Sequence, residues 1–127
     1  MKNKRQLLVE EMFSAFGNAD VERFLKTVSP DTLWIYHGTL LIPKAVFKGK
    51  EGVRTFVTNI LSNTDILSFE PLQYICEGNM VVVLGREHQR IKKSGKELRQ
   101  NWVQIYTIED HLITKMEEFA SSELVSQ

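Results

Sequence analysis

From residue 66 to residue 120 the chain reads as successive strands, broken only at three short turn signals. Residues 66–77 end at Gly78-Asn79, residues 80–92 at Ser94-Gly95, and residues 97–108 at Glu109-Asp110-His111; residues 112–120 complete the run. Connections this short join antiparallel neighbours, because a parallel return needs a crossover of a dozen residues or more. The four segments are therefore expected to form an antiparallel meander. Pro71 has no amide hydrogen, which puts its strand at an edge or a bulge within it. The tail, residues 121–127, reads as frayed.

The two faces of these strands show what the meander packs against. In the stretch NWVQIYTI, residues 101–108, one face carries Trp102, Gln104, Tyr106 and Ile108 and the other Asn101, Val103, Ile105 and Thr107. Neither is the charged face of a sheet with one side in water. The first half of the chain supplies a cover for one of them. Leu8, Met12, Ala15 and Phe16 form a helical stripe, with Gly17 placed to take the left-handed position at its end. Asn18 or Asp20 can cap a second helix with the stripe Val21, Phe24, Leu25 and Val28, ending at Pro30. A strand over 32–37 and an irregular stretch over 38–48 follow. A third helix starts near Gly49, with Val53, Phe56, Val57, Ile60 and Leu61 on one side. The expected architecture is α+β: three N-terminal helices packed in the concave face of a curved antiparallel sheet. The other sheet face keeps Val82, Leu84, Val103 and Ile105 together, which predicts a homodimer through the outer face.

With 127 residues the whole chain is expected to be a single domain, 1–127. Lys plus Arg and Asp plus Glu number 16 each, so no net charge attracts nucleic acid or a membrane surface. The cluster Lys92-Lys93-Ser94-Gly95-Lys96 reads as a solvated hairpin tip. Cys76 is the only cysteine, which excludes an internal disulfide and fits a reducing compartment. The N-terminal residues have no long apolar run, so a cytoplasmic location is expected. His37, His88 and His111 lack metal-ligand spacing, and Gly49 and Gly52 lack that of a phosphate loop. No metal and no cofactor are predicted.

Four stretches, FGNADVERFLKTVSPDTLWIY, VFKGKEGVRTFV, SGKELRQNWVQIYTIEDHLI and KMEEF, follow one another in an order that resembles the nuclear-transport-factor-2-like superfamily, in particular its SnoaL-like, polyketide cyclase-like branch. The resemblance runs over roughly residues 5 to 120. It implies a cone-shaped α+β barrel with a pocket at its wide end. The activities it implies are those of a cofactor-independent lyase, isomerase or cyclase acting on a small, mostly apolar organic substrate; the alternative is a non-catalytic ligand-binding or dimeric assembly module. The ketosteroid isomerase residues of the superfamily are not matched. Alignment with that branch puts Met12 at the tyrosine donor position, Tyr36 at the base position and Gln104 at the second acid position. A limonene-epoxide-hydrolase-like set cannot be placed on inward positions either. Where the last hairpin of the family has a glycine after its acidic residue, this chain has His111 after Asp110. Both residue types tolerate a left-handed backbone.

Alternation from this alignment turns Val83, Gly85, Glu87 and Gln89 inward on one strand, Gln100, Trp102, Gln104 and Tyr106 on the next, and Thr114, Met116 and Glu118 on the last. Trp34 and Tyr36 come from the first strand. The candidate catalytic residues are Glu87, as acid–base group, and Tyr36, as donor to a carbonyl or oxyanion. Candidate ligand-binding residues are Gln104, Trp102, Trp34, Glu118, Gln89, Met12 and Met116. Gly85 would leave room for the cavity. Burial would raise the pKa of Glu87, and a nearby Glu118 would titrate with it. The plainer expectations are that the two glutamates sit hydrated at the rim, that Gln104 serves buried backbone, and that the tryptophans only pack.

Overall fold

Residues 2–125 are described by a computed structural model. Helix α1, Lys4–Gly17, starts where the Asn3 side chain accepts the Arg5 amide at 2.8 Å, and it buries Val9, Met12 and Ala15. Its end departs from expectation. Gly17 is not left-handed, and the chain turns instead at Ala19, with φ of 54°. Asn18 sits at the end of α1, leaving Asp20 to cap α2, Val21–Leu25.

Helix α2 is shorter than its stripe implied. Val28 already belongs to strand β1, Val28–Tyr36, which runs through Pro30. The cause is tertiary: the Ile113 amide bonds the Thr27 carbonyl at 2.8 Å, and Val28 lies beside Ile113 in the sheet. Pro30 falls in the irregular part of that ladder, between Val28 and Leu33, where a missing amide costs no ladder bond. Part of the stretch expected to be irregular is strand β2, Ala45–Lys48, paired with β1. Helix α3, Gly49–Asn63, buries Val53 and Val57.

The meander is present as β3 (Thr64–Glu77), β4 (Met80–Ile91), β5 (Glu97–Glu109) and β6 (Leu112–Leu124). The strand order is β2-β1-β6-β5-β4-β3. One pair, β1–β6, is parallel, so the sheet is mixed rather than purely antiparallel; α3 and the meander form the long connection this pair requires. The sheet curves around the helices but does not close, and β2 and β3 are its edges. Pro71 lies on the edge strand beside a register shift, as a residue without an amide hydrogen should.

Three details of the meander differ from the sequence reading. Strand β6 continues to Leu124, opposite Leu98, so most of the expected frayed tail is paired; residues 126–127 lie outside the described residues. A register shift near Thr107 makes Thr114 an extra residue in its ladder, and Ile113 rather than Thr114 enters the core. The β4–β5 loop is longer than two residues: Ile91 bonds Lys96 at 2.8 Å, and Gly95 turns with φ of 73°. The β5–β6 turn keeps Asp110 and His111 both left-handed, at φ of 51° and 65°, the geometry of a tight primed hairpin.

The inward face meets the helices in a core that includes Val81, Val83, Trp102, Tyr106, Ile113 and Met116. On the outer face Val82 stands opposite Ile105 and Leu84 opposite Val103, flanked by the exposed Ile75 and Phe119. Among the described residues no helix is long and apolar enough to cross a membrane.

Candidate ligand cavity and its acid pair

The helices do not fill the concave face completely. They leave a cavity of about 370 Å³. Its walls are mostly apolar: Met12, Phe13 and Phe16 from α1, Phe24 from α2, Phe56, Val57 and Ile60 from α3, Phe47 from β2, Phe69 from β3 and Trp34 from β1. Ile42 and Pro43, in the segment before β2, lie at one side. Most of the polar groups come from the sheet: Tyr36, Thr64, Glu87, Gln89, Gln100, Gln104, Tyr106 and Glu118, with Asn59 added from α3. An apolar cavity with a few convergent polar groups is the usual form of a small-molecule site.

Strand register assembles these groups. Glu87 is the cross-strand partner of Gln100, Gln104 that of Glu118, and Tyr36 lies opposite Glu118 on the other side. Two similar relays result. In the first, the Tyr36 hydroxyl donates to Gln100 Oε1 at 2.9 Å, and Gln100 Nε2 donates to Glu87 Oε1 at 3.0 Å. In the second, the Tyr106 hydroxyl donates to Gln104 Oε1, and Gln104 Nε2 donates to Glu118 Oε1 at 2.9 Å. In both, the glutamine carboxamide connects a phenol to a carboxyl.

Electrostatics make the two carboxyls unusually weak acids. Glu87 is pushed up to about 8, first by burial and then by the charge of Glu118. Burial raises Glu118 to about 7, against the opposing pull of the Gln104 bond. Among the described residues no Lys, Arg or His lines the cavity to hold either one ionised. Both carboxyls are thus raised towards neutrality, with the Glu118 charge acting on Glu87, and they form a coupled pair. Burial and the Glu118 charge also raise the Tyr36 and Tyr106 hydroxyls, which stay protonated as donors.

Seven of the nine residues singled out from the sequence line the cavity: Tyr36, Glu87, Gln104, Trp34, Glu118, Gln89 and Met12. Trp102 and Met116 do not. Met116 is in the core between Trp34 and Tyr106. Trp102 stacks on Phe69 with ring centroids 5.1 Å apart, and its indole N–H is buried without an acceptor among the described residues. Gly85 accordingly has a different job from the one expected. A Cβ there would lie 2.3 Å from Trp102 Cζ2, so the glycine admits the indole rather than enlarging the cavity.

The plainer expectation for Gln104 does not hold, since its carboxamide serves a carboxyl and a phenol rather than backbone. Gln100 and Tyr106 are relay members not chosen from the sequence, although their inward alternation with Gln104 was the signal that could have found them. The histidines stay outside: His37 Nε2 lies 2.8 Å from Glu117 and its ring stacks on Phe119, while His88 pairs with Glu97 at 2.7 Å. Among the described residues no group of three His, Cys, Asp or Glu side chains could hold a metal ion.

A helix-lined, curved mixed sheet with a cavity at its concave face defines the cone class of small α+β proteins. The model of the SnoaL-like domain matches residues 9–116, and the chain belongs to that family. Solved structures share the fold. An NTF2-like protein from Burkholderia xenovorans is 23% identical, with a TM-score of 0.81 over 92% of this chain and 88% of that one. TerC, co-crystallised with polyporic acid, is 20% identical, with a TM-score of 0.77 over 92% and 91% of the two chains. A protein from Catenulispora acidiphila with a ketosteroid isomerase-like fold, in complex with trimethylamine, is 12% identical, with a TM-score of 0.77 over 90% and 85%. A search of curated proteins finds no match in sequence.

Proposed function

We propose that the protein binds a small, mostly apolar organic molecule in this cavity and acts on it by cofactor-independent acid–base chemistry of the lyase, isomerase or cyclase type. The observation that carries the reading is the pair of Tyr–Gln–Glu relays aimed into an apolar cavity. When one carboxyl is ionised and the other protonated, the first can take a proton from the ligand and the second can return one elsewhere on it. No electrons enter or leave in that exchange. Glu87 is the acid–base group, Tyr36 a hydrogen-bond donor and Gln104 an orienting group. The relatives seen with polyporic acid and trimethylamine support a fold that accepts small organic molecules.

The test begins with binding. Small cyclic ketones, phenols and aromatic amines are screened by ligand-observed NMR against the native protein and against Ala45→Trp, since Ala45 of β2 also lines the cavity and the larger side chain would fill that wall. Hits lost in Ala45→Trp are then assayed for turnover with native protein and Glu87→Gln. The reading expects hits and a large loss of turnover in Glu87→Gln. Unchanged turnover in that variant removes Glu87 from the mechanism, and binding without turnover in the native protein favours a carrier.

We further propose that a second copy of the chain covers the outer sheet face, because Val82, Leu84, Val103 and Ile105 form one apolar patch by register. The lone thiol of Cys76 is consistent with a reducing, cytoplasmic setting.

A further inference from the structure

We infer that the ligand of this cavity is a lipophilic monocation, an organic amine or ammonium, whose charged nitrogen sits by Glu87 and Glu118 and whose body lies against the aromatic wall. The inference rests on the small-molecule reading above and adds the charge of the ligand.

Three observations converge. The first is where the fold supplies counter-ions. Outside, several carboxylates have cationic partners: Glu11 meets Arg23, Glu22 and Glu51 share Arg54, and Glu70 meets Arg86. Inside, Glu87 and Glu118 have none, since among the described residues no basic side chain lines the cavity. Buried carboxyls usually have a charged partner, and here the cavity is where one would sit.

The second is unused hydrogen-bonding capacity. Each carboxyl spends one oxygen on its glutamine, and the other oxygen has no partner among the described residues. Glu118 is only 6% exposed. Gln89, 7% exposed, also lines the cavity, and its carboxamide has no partner among the described residues. These are acceptors for an N–H or neighbours for a polarised N–CH₃.

The third is the ring system beside them. Trp34 lies 5.6 Å from Phe24, 5.8 Å from Phe56 and 6.1 Å from Tyr106, centroid to centroid. Such rings attract cations through their negative faces, with Trp the strongest. An anionic ligand would find no positive partner here. A neutral one would leave the carboxyls to hold their own protons.

The titratable groups facing the cavity are Tyr36 from β1, Glu87 from β4, Tyr106 from β5 and Glu118 from β6; the helices, β2, β3 and the segment before β2 bring none among the described residues. Both phenols stay neutral through the relevant range, so the pH response belongs to the carboxyl pair.

Phenyltrimethylammonium and its neutral isostere tert-butylbenzene are titrated into the full chain at pH 5 and pH 8, with tryptophan fluorescence as the readout. The expected result is binding of the cation at least tenfold tighter than the isostere at pH 8. That preference should be lost at pH 5 and in the Glu87→Gln/Glu118→Gln double variant. Should the double variant fail to fold, the pH comparison in the native protein decides alone. Equal or tighter binding of tert-butylbenzene at pH 8 overturns the cation inference and leaves the small-molecule cavity standing. Binding of neither probe overturns both.

Discussion

The substitution Glu118→Gln should make the protein more stable in mild alkali. The carboxyl is 6% exposed, and its pKa is raised from 4.5 to about 7. In the unfolded chain it ionises first. As pH rises from 4.5 towards 7, the folded state therefore holds more protons than the unfolded one, and stability falls; above about 7 the full cost is present. At about 1.4 kcal/mol for each tenfold change in acidity, keeping this carboxylate ionised inside the fold costs about 3 kcal/mol. The carboxamide that replaces it would still accept from Gln104, and the charged bond that is lost is already counted in this net cost, since it lowers the pKa against desolvation. The variant should thus gain about 3 kcal/mol over native protein at pH 8 and none at pH 4. Relief of Glu87, whose acidity Glu118 suppresses, adds in the same direction. Urea denaturation followed by tryptophan emission reads this directly, since Trp34 and Trp102 are both buried. If the difference between variant and native protein does not change from pH 4 to pH 8, Glu118 is not a desolvated acid and the argument fails.

Gly85→Ala should lose more than about 2 kcal/mol in the same assay and shift the emission of Trp102, because the new Cβ meets both the indole and the Glu70 carbonyl oxygen, the latter at 2.7 Å. His111→Gly should gain about 0.5–1 kcal/mol, since a glycine accepts the left-handed backbone that His111 now holds; no gain in thermal melting would argue that its ring has a compensating role. Val103→Glu puts a charge in the middle of the outer patch and should give a monomer in sedimentation with the cavity's ligand binding intact; native protein that already sediments as a monomer refutes the homodimer.

The fold was legible wherever a pattern repeats over many residues. The meander, its faces and the stripe of α3 all follow from alternation or helical period, and tight turns fixed the neighbours. What failed was local and was decided by distant partners. Val28 continues the helical stripe of α2, yet pairing with Ile113 claims it for β1. Thr114 obeys strict alternation, yet a bulge turns it off the inward face. At the site, alternation brought Tyr36, Glu87, Gln104 and Glu118 together correctly because register was right across the three main ladders. It could not separate wall from core behind them. Whether Trp102 lines the cavity depends on how its ring lies over Gly85, and Ile42 and Pro43 come from a segment with no period to read.

The cavity is built from two kinds of material, and this has an evolutionary consequence. Both glutamines of the relays hang from one central strand, β5, and both carboxyls from its immediate neighbours, so the polar side is fixed by ladders that tolerate little change. The opposite wall draws on the five-residue α2, the edge strand β2 and the irregular residues before it. Substitutions at Phe24, Ile42, Pro43 or Phe47 can therefore reshape what fits without disturbing the carboxyl side. A lineage built this way can change the shape of its cavity by small steps while its acid pair stays in place.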